Sequence, residues 1–243
     1  MLMDKQIILS ALQNGKMQVH AQFLAGSNYT FLADISYEQV MIKAVYKPVR
    51  GEQPLWDFPN GSLAKREVAA YVISEELDWG LVPPTVYRRK GSMGAGSVQE
   101  YIEHNPDLHY FNFDEATRQL LRPVALFDLV ANNADRKGGH ILLDASNNHL
   151  LLIDHGICFH VEDKLRTVVW DFAGEEIPPD LLSDLCRLIA DLEQGSSQLM
   201  HDLGNLLDDG EIDAVLNRTR HLVTSGRFPY PQSTRRSYPW PPV

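Results

Sequence analysis

Asn132-Asn133-Ala134-Asp135-Arg136-Lys137-Gly138-Gly139-His140-Ile141-Leu142-Leu143, followed after a polar stretch by Leu151-Leu152-Ile153-Asp154-His155-Gly156, decides how this chain is read. Asp135 opens a turn that runs into an apolar strand at 141–143. Asp154 ends a second apolar run at 150–153, 19 positions after Asp135. Residues 144–148, Asp-Ala-Ser-Asn-Asn, have the composition of a hairpin turn. A tight hairpin there brings the two carboxylates to one end. Phosphoryl transfer needs such a pair, one carboxylate orienting the attacking hydroxyl and the other holding the metal on the nucleotide phosphates. A carboxylate closing an apolar strand is costly unless a metal or hydrogen-bond donors compensate it.

Upstream of this hairpin the pattern is β-rich over residues 6–47. Strands are expected at 17–24, 29–35 and 39–46, the last with Val40, Ile42, Ala44 and Tyr46 on one face. A loop over 50–61 leads to a helix at 62–78, with Ser62 as its N-cap. Leu63, Glu67, Ala70, Ser74 and Leu77 fall along one stripe of that helix. Pro83-Pro84 precedes strands at 85–89 and 97–102. Downstream the texture turns helical, at 114–131, 179–194, 196–208 and 210–224, with an irregular stretch at 157–177. The last 16 residues, 228–243, hold five prolines and read as extended, with Trp240 docking on the helical part. Strands first and helices second make an α+β chain of two lobes, residues 1–103 and 104–243, with a ligand cleft between them.

The chain's 243 residues, 44% of them hydrophobic, suffice for a full core. Two cysteines, Cys158 and Cys186, argue for a reducing compartment, and no secretory signal opens the chain, so a cytoplasmic location is expected. No run of about 18 apolar residues predicts a membrane span or stable membrane anchor. The net charge of −10 disfavours nucleic acid as a partner. It leaves a nucleotide open, because a metal and one or two placed cations can dominate a local field.

Several residues can serve phosphates. Lys47 ends the third strand and can hold phosphate oxygens, although alone it reads as a solvated strand-end lysine. Glu67 in the following helix can pair with it, as could Glu75 or Glu76. Gly26-Ser27-Asn28 joins two strands and can offer N–H groups to phosphates, or be a plain turn. His140, Asp154, His155 and His160 with Asp135 offer another chemistry, transition-metal hydrolysis, although no His-x-His or His-Glu-x-x-His spacing supports it.

Taken together, Gly26-Ser27-Asn28-Tyr29-Thr30-Phe31-Leu32, Val45-Tyr46-Lys47-Pro48, Arg66-Glu67-Val68-Ala69-Ala70-Tyr71, Asn133-Ala134-Asp135-Arg136 and Ile153-Asp154-His155-Gly156 resemble the bacterial phosphatidylinositol 3-/4-kinase-like family of the kinase fold. The chain is also similar to the persistence-toxin type of kinase. The resemblance implies a two-lobed fold, ATP as phosphate donor and a Mg²⁺ or Mn²⁺ ion. It implies Lys47 on the α- and β-phosphates with Glu67 as partner, and Gly26, Ser27 and Asn28 over the phosphates. It makes Gln99, Tyr101 and Ile102 part of the hinge that reads adenine, Asp135 the catalytic aspartate and Asp154 the metal ligand. Related kinases place asparagine five residues after the catalytic aspartate; here that position is His140, a softer ligand that suits Mn²⁺ or weakens a second metal site. A pseudokinase acting as a nucleotide-binding signalling module is the competing expectation. The acceptor is a hydroxyl on a protein, a small molecule or a lipid. Two cations against five anions in 157–177 argue against a phosphorylated lipid headgroup.

Overall fold

The computed structural model of the chain describes residues 4–23, 28–144 and 149–243. Helix α1 (Lys5–Asn14) starts at Asp4, whose carboxylate accepts the Gln6 N–H at 2.8 Å. It buries Ile8, Ala11 and Leu12, spaced for one helical face. Strands β1 (Lys16–Phe23), β2 (Thr30–Tyr37) and β3 (Val40–Pro48) follow, then helix α2 (Leu63–Glu76) and strands β4 (Thr85–Arg88) and β5 (Gly96–Glu100). The sheet is antiparallel in the order β1-β2-β3-β5-β4. The pairs Phe31–Tyr46, Ala33–Ala44 and Ile35–Ile42 lie in register, and all six side chains are buried. Helix α1 covers this face, which corrects the reading of residues 6–47 as β-rich throughout. Its stripe is under three turns long and merges by composition into the strand that follows.

The period of two along β3 then fixes the site. With Tyr46 buried on the α1 side, Val45 and Lys47 must face the other way. Gly96 sits opposite Pro48, and a Cβ there would lie 2.4 Å from the Lys47 carbonyl oxygen, so only glycine lets β5 pass. Ser62 stands at the N-cap of α2 but donates its hydroxyl to the Pro59 carbonyl and does not cap the helix. The expected stripe is present: Leu63, Glu67, Ala70, Ser74 and Leu77 are all buried.

The second half is mainly helical: α3 (Glu115–Gln119), α4 (Arg122–Ala131), the hairpin β6 (Ile141–Asp144) and β7 (His149–Leu152), then α5 (Pro179–Glu193), α6 (Gln198–Gly204) and α7 (Asp209–Ser225). The single helix expected over 114–131 is broken, because Pro123 in the first turn of α4 has no N–H for a continuing ladder. The hairpin pairs Ile141 with Leu152 and Leu143 with Leu150; the turn read at 144–148 falls beyond Asp144 on residues outside the described ones. On α5, Leu181, Leu185, Leu188 and Leu192 face the core, while Leu182 and Ile189 are half-buried. One large apolar cluster takes in the inner face of α2, α4, both hairpin strands and α5 to α7.

Residues 228–243 lack helix and strand, turn at 233–235, and run back over the segment between Asp163 and Glu176. Phe228 exchanges backbone bonds with Gly174 and Glu175, the Ser237 carbonyl accepts the Thr167 N–H at 3.2 Å, and the Pro242 carbonyl accepts the Gly138 N–H at 2.8 Å. Trp240, expected to dock, is 76% exposed. Backbone carbonyls anchor this tail, and the side chain between them points out. No helix among the described residues is long and apolar enough to cross a membrane.

Candidate active site

Between the free face of the sheet and the β6–β7 hairpin lies a cavity of about 320 Å³. Lys47, Glu67, Gln99, Tyr101, Ile102, Asp135, Lys137, His140 and Asp154 all line it, with Asn28 at its edge. Asn28 also accepts the Gln53 N–H through Oδ1 at 2.7 Å. Gly26 and Ser27 lie outside the described residues. In the stretch expected to read adenine, the Gln99 amide is turned to Thr85 Oγ1 at 2.8 Å, and the Tyr101 N–H is already taken by the Lys43 carbonyl at 3.0 Å.

Lys47 Nζ stands 2.5 Å from Glu67 Oε1 and 3.0 Å from Asp154 Oδ1. Glu67 is 3% exposed, and its other oxygen accepts the His155 backbone N–H at 2.9 Å. The two alternatives to Glu67 are occupied elsewhere, Glu75 by Lys5 and Glu76 by a shared hydrogen bond with Asp191. Burial opposes the lysine charge, but the Asp154 and Glu67 carboxylates outweigh it and raise the Lys47 pKa. Lys47 in turn holds Asp154 well below the usual carboxylate range. Asp154 takes φ +62°, a conformation that aspartate tolerates better than bulky residues.

The Asp135 carboxylate is 3.2 Å from Lys137 Nζ, and its backbone N–H donates to Asn133 Oδ1 at 2.9 Å. Burial raises the Asp135 pKa above its ordinary value, with Lys137 opposing. Sequence reasoning passed over Lys137, whose signal was its place two residues after Asp135 on the same turn.

It also passed over Arg136, which holds the Asp135 and Asp154 segments together. This side chain is fully buried; Nε bonds Asp128 at 2.9 Å, Nη1 the Ile153 carbonyl at 2.7 Å and Nη2 the His155 Nε2 at 2.8 Å. Asp128 also accepts the Thr167 hydroxyl at 2.8 Å. Burial, reinforced by Arg136, keeps the His155 pKa far below its usual value, so the imidazole is neutral and its Nε2 accepts from the guanidinium. The stretch from Thr167 through Asp128, Arg136, His155 and Glu67 to Lys47 is thus one bonded network.

His140 Nε2 lies 3.5 Å from Asp154 Oδ2, and its buried Nδ1 has no partner among the described residues. Burial pushes its pKa down to about 4 despite Asp154, so the ring is neutral near pH 7 and a lone pair is free to bind metal. A carboxylate oxygen and a neutral imidazole nitrogen lining the same cavity are donors of the kind a divalent cation takes. Among the described residues no three His, Cys, Asp or Glu side chains converge as a metal site. His155 is turned to Arg136, and His160 Nε2 to the Asp57 carbonyl at 2.9 Å, so the residues of the metal-hydrolase alternative do not assemble.

A sequence model of the phosphatidylinositol 3- and 4-kinase family matches residues 61–207. Protein Rv2133c of Mycobacterium tuberculosis is 36% identical over 267 residues, covering 96% of this chain and 94% of its own. Phosphatidylinositol 4-kinase gamma 4 of Oryza sativa subsp. japonica is 28% identical over 220 residues, 75% of this chain but 38% of that protein. Among solved structures, the Golgi casein kinase with Mn/ADP bound superposes at a TM-score of 0.58 with 14% identity, covering 90% of this chain and 74% of the other. The Helicobacter pylori proinflammatory kinase CtkA gives 0.54 with 11% identity, covering 89% and 94%. At such low identity these two likenesses show the fold, which is protein-kinase-like.

Proposed function

The chain belongs to the phosphatidylinositol 3- and 4-kinase family, and from that premise we propose that it is an ATP-dependent phosphotransferase acting on a hydroxyl acceptor. The observation that carries this reading is the convergence of Lys47, Glu67 and Asp154 within hydrogen-bond distance in the cavity that Asp135 also lines. In this reading residues 1–103 are the nucleotide-binding lobe and 104–243 the lobe that presents the acceptor.

Glu67 fixes the Lys47 ammonium, which binds the nucleotide phosphates in place of its contact with Asp154. Asp154 and His140 would hold a divalent cation, which would neutralise charge on the phosphates. Asp135 accepts the proton of the attacking hydroxyl, whose oxygen bonds to the γ-phosphorus as ADP leaves. Its raised pKa suits it to take that proton. Lys137 keeps the Asp135 carboxylate oriented and faces the transferring group. His140, in the position usually held by asparagine, favours the second reading, a nucleotide-binding module without turnover.

The charge count that argued against a phosphorylated headgroup loses force. Asp163, Asp171, Glu175 and Glu176 pair with Arg235, Arg118, Arg122 and Arg227, and Glu162 with Lys164. Their charges are met locally, so protein, small-molecule and lipid alcohols stand on equal terms as acceptors. The deciding experiment is incubation with γ-labelled ATP and Mn²⁺ or Mg²⁺, followed by separation into protein and lipid fractions. Label transferred by the native chain and absent with Asp135→Ala supports the kinase. Nucleotide binding with no labelled product in any fraction supports the module.

A further inference from the structure

Five buried side-chain nitrogens lack a partner among the described residues. Three belong to Asn133, His140 and His155 around the catalytic hairpin. The other two, Arg218 Nη2 and Arg235 Nε, belong to arginines that line one separate cavity of about 340 Å³. It lies between α4, α7, the segment at 163–170 and the C-terminal tail, away from the nucleotide cleft.

The Arg218 guanidinium is fixed in place. Its Nε donates to the Val130 carbonyl at 3.1 Å and Nη1 to the His160 carbonyl at 3.2 Å, which spends two nitrogens on neutral acceptors. Among the described residues no carboxylate forms an ion pair with it, and burial pulls its pKa down to about 10 with Asp163 opposing. Arg235 pairs with the one acid in the wall, the Asp163 carboxylate, through Nη2, while its Nη1 donates to the Asp163 backbone carbonyl. The lining thus sets two guanidinium groups against one carboxylate, with His221 beside them. This is an excess of positive charge in a chain whose net charge is −10. Buried N–H groups of a cation without acceptors are costly, and a bound anion removes that cost. The rest of the wall is largely apolar and aromatic, with Leu129, Leu165, Trp170 and Leu222, beside the polar Asn217, Gln232 and Ser237. An apolar cavity of a few hundred Å³ with a few convergent polar groups has the build of a small-molecule site.

We infer that this cavity binds a small organic anion, a carboxylate or phosphate monoester with an apolar body, whose charged group is met by Arg218 and Arg235. The site stands whether or not the chain is a kinase. An occupant would touch Trp170 and the tail together. Both are already joined, since Trp170 Nε1 and the Thr167 N–H donate to the Ser237 carbonyl, each at 3.2 Å. The backbone of Arg166 bonds Asn133 and Arg136 on either side of Asp135, so occupancy would stiffen the segment that borders the catalytic aspartate.

The test titrates the full chain with phenyl phosphate, benzoate and inorganic phosphate, following heat of binding and amide exchange. Saturable binding of phenyl phosphate or benzoate is expected, tighter than inorganic phosphate, with slowed exchange over 163–170. Arg235→Gln and Arg218→Gln should each weaken it about tenfold or more, as loss of a hydrogen bond to a charged group does. Arg218 also ties two backbone carbonyls, so Asn217→Trp, an exposed position at the wall, provides a variant that blocks the cavity without touching them. Lys47→Met should leave the binding intact. The inference is overturned if none of the three anions saturates, as for a cavity filled by water. It is equally overturned if Arg235→Gln and Asn217→Trp bind as the native chain does, or if Lys47→Met abolishes binding and so places the anion in the nucleotide cleft.

Discussion

Arg66→Met tests what holds the glutamate partner of Lys47 in place. Arg66 precedes Glu67 on α2 and is 1% exposed. Its Nη1 donates to the Cys158 carbonyl at 2.6 Å, Nη2 pairs with Glu211, and the guanidinium lies 4.8 Å from the Phe58 ring centre. Glu211 is 6% exposed and caps α7, its second oxygen accepting the Asp208 N–H at 3.1 Å. The pair therefore bolts α2 both to α7 and to the chain just past Asp154. Methionine keeps much of the volume but strands the Glu211 carboxylate, and breaking a buried pair from one side costs about 3–5 kcal/mol. In a chain of this size each kcal/mol moves Tm by roughly 2–4 °C, so the midpoint should fall roughly 6–20 °C. Arg66→Met with Glu211→Met loses the same Cys158 and Phe58 contacts as the single variant but removes both charges, and beyond those contacts gives up only the cap, worth about 1 kcal/mol, so the double variant should melt above the single one. Calorimetry at pH 7.5 measures both. A second arm follows ATP binding at a temperature where every variant is folded. Arg66→Met should weaken it in the native background and have little effect where Glu67→Gln is already present. A fall under about 2 °C, or a double variant less stable than Arg66→Met, would refute the account of a buried, charge-paired bolt. Additive losses of ATP affinity would refute its action through Glu67.

Three further outcomes follow from the site. Asp135→Asn should lower kcat about 10²–10⁴-fold, the usual worth of a general base, with nucleotide affinity nearly unchanged in equilibrium binding. Lys47→Met should weaken nucleotide binding about tenfold or more through loss of a charge-assisted contact, read by calorimetric titration. His140 gives the pH dependence. Its pKa is about 4 when folded against about 6.5 unfolded, so the unfolded chain binds more protons between those values. Its contribution to stability is complete above about pH 6.5 and falls as pH drops toward 4, by about 3 kcal/mol at 1.36 kcal/mol per pH unit. Denaturant titrations at pH 7.5 and 4.5 should show a smaller acid loss for His140→Asn, and the same variant should shift the metal preference from Mn²⁺ toward Mg²⁺. Equal acid losses in the two proteins would show that His140 is not the sensitive group.

Local order was written in the chain. The alternation Ile42, Ala44, Tyr46 fixed which face β3 buries, and so sent Lys47 the other way. The apolar runs around Asp135 and Asp154 set the hairpin, and the stripe from Leu63 to Leu77 set α2. These depend on backbone periods of 2 and 3.6 residues, which a sequence displays directly. What the sequence left open depended on which distant segments meet. Glu67, Glu75 and Glu76 were equivalent by composition; only the packing of α2 against the sheet selected Glu67, with the other two drawn to Lys5 and Asp191. The acids of 157–177 looked like an unbalanced run until Arg118, Arg122, Arg227 and Arg235 came to rest on four of them. Arg66 and Glu211 are 145 positions apart, and Arg136 serves Asp128, Ile153 and His155 at once. Hydrogen bonds and ion pairs act only over a few ångströms, so their partners exist only once the tertiary fold has set the distances.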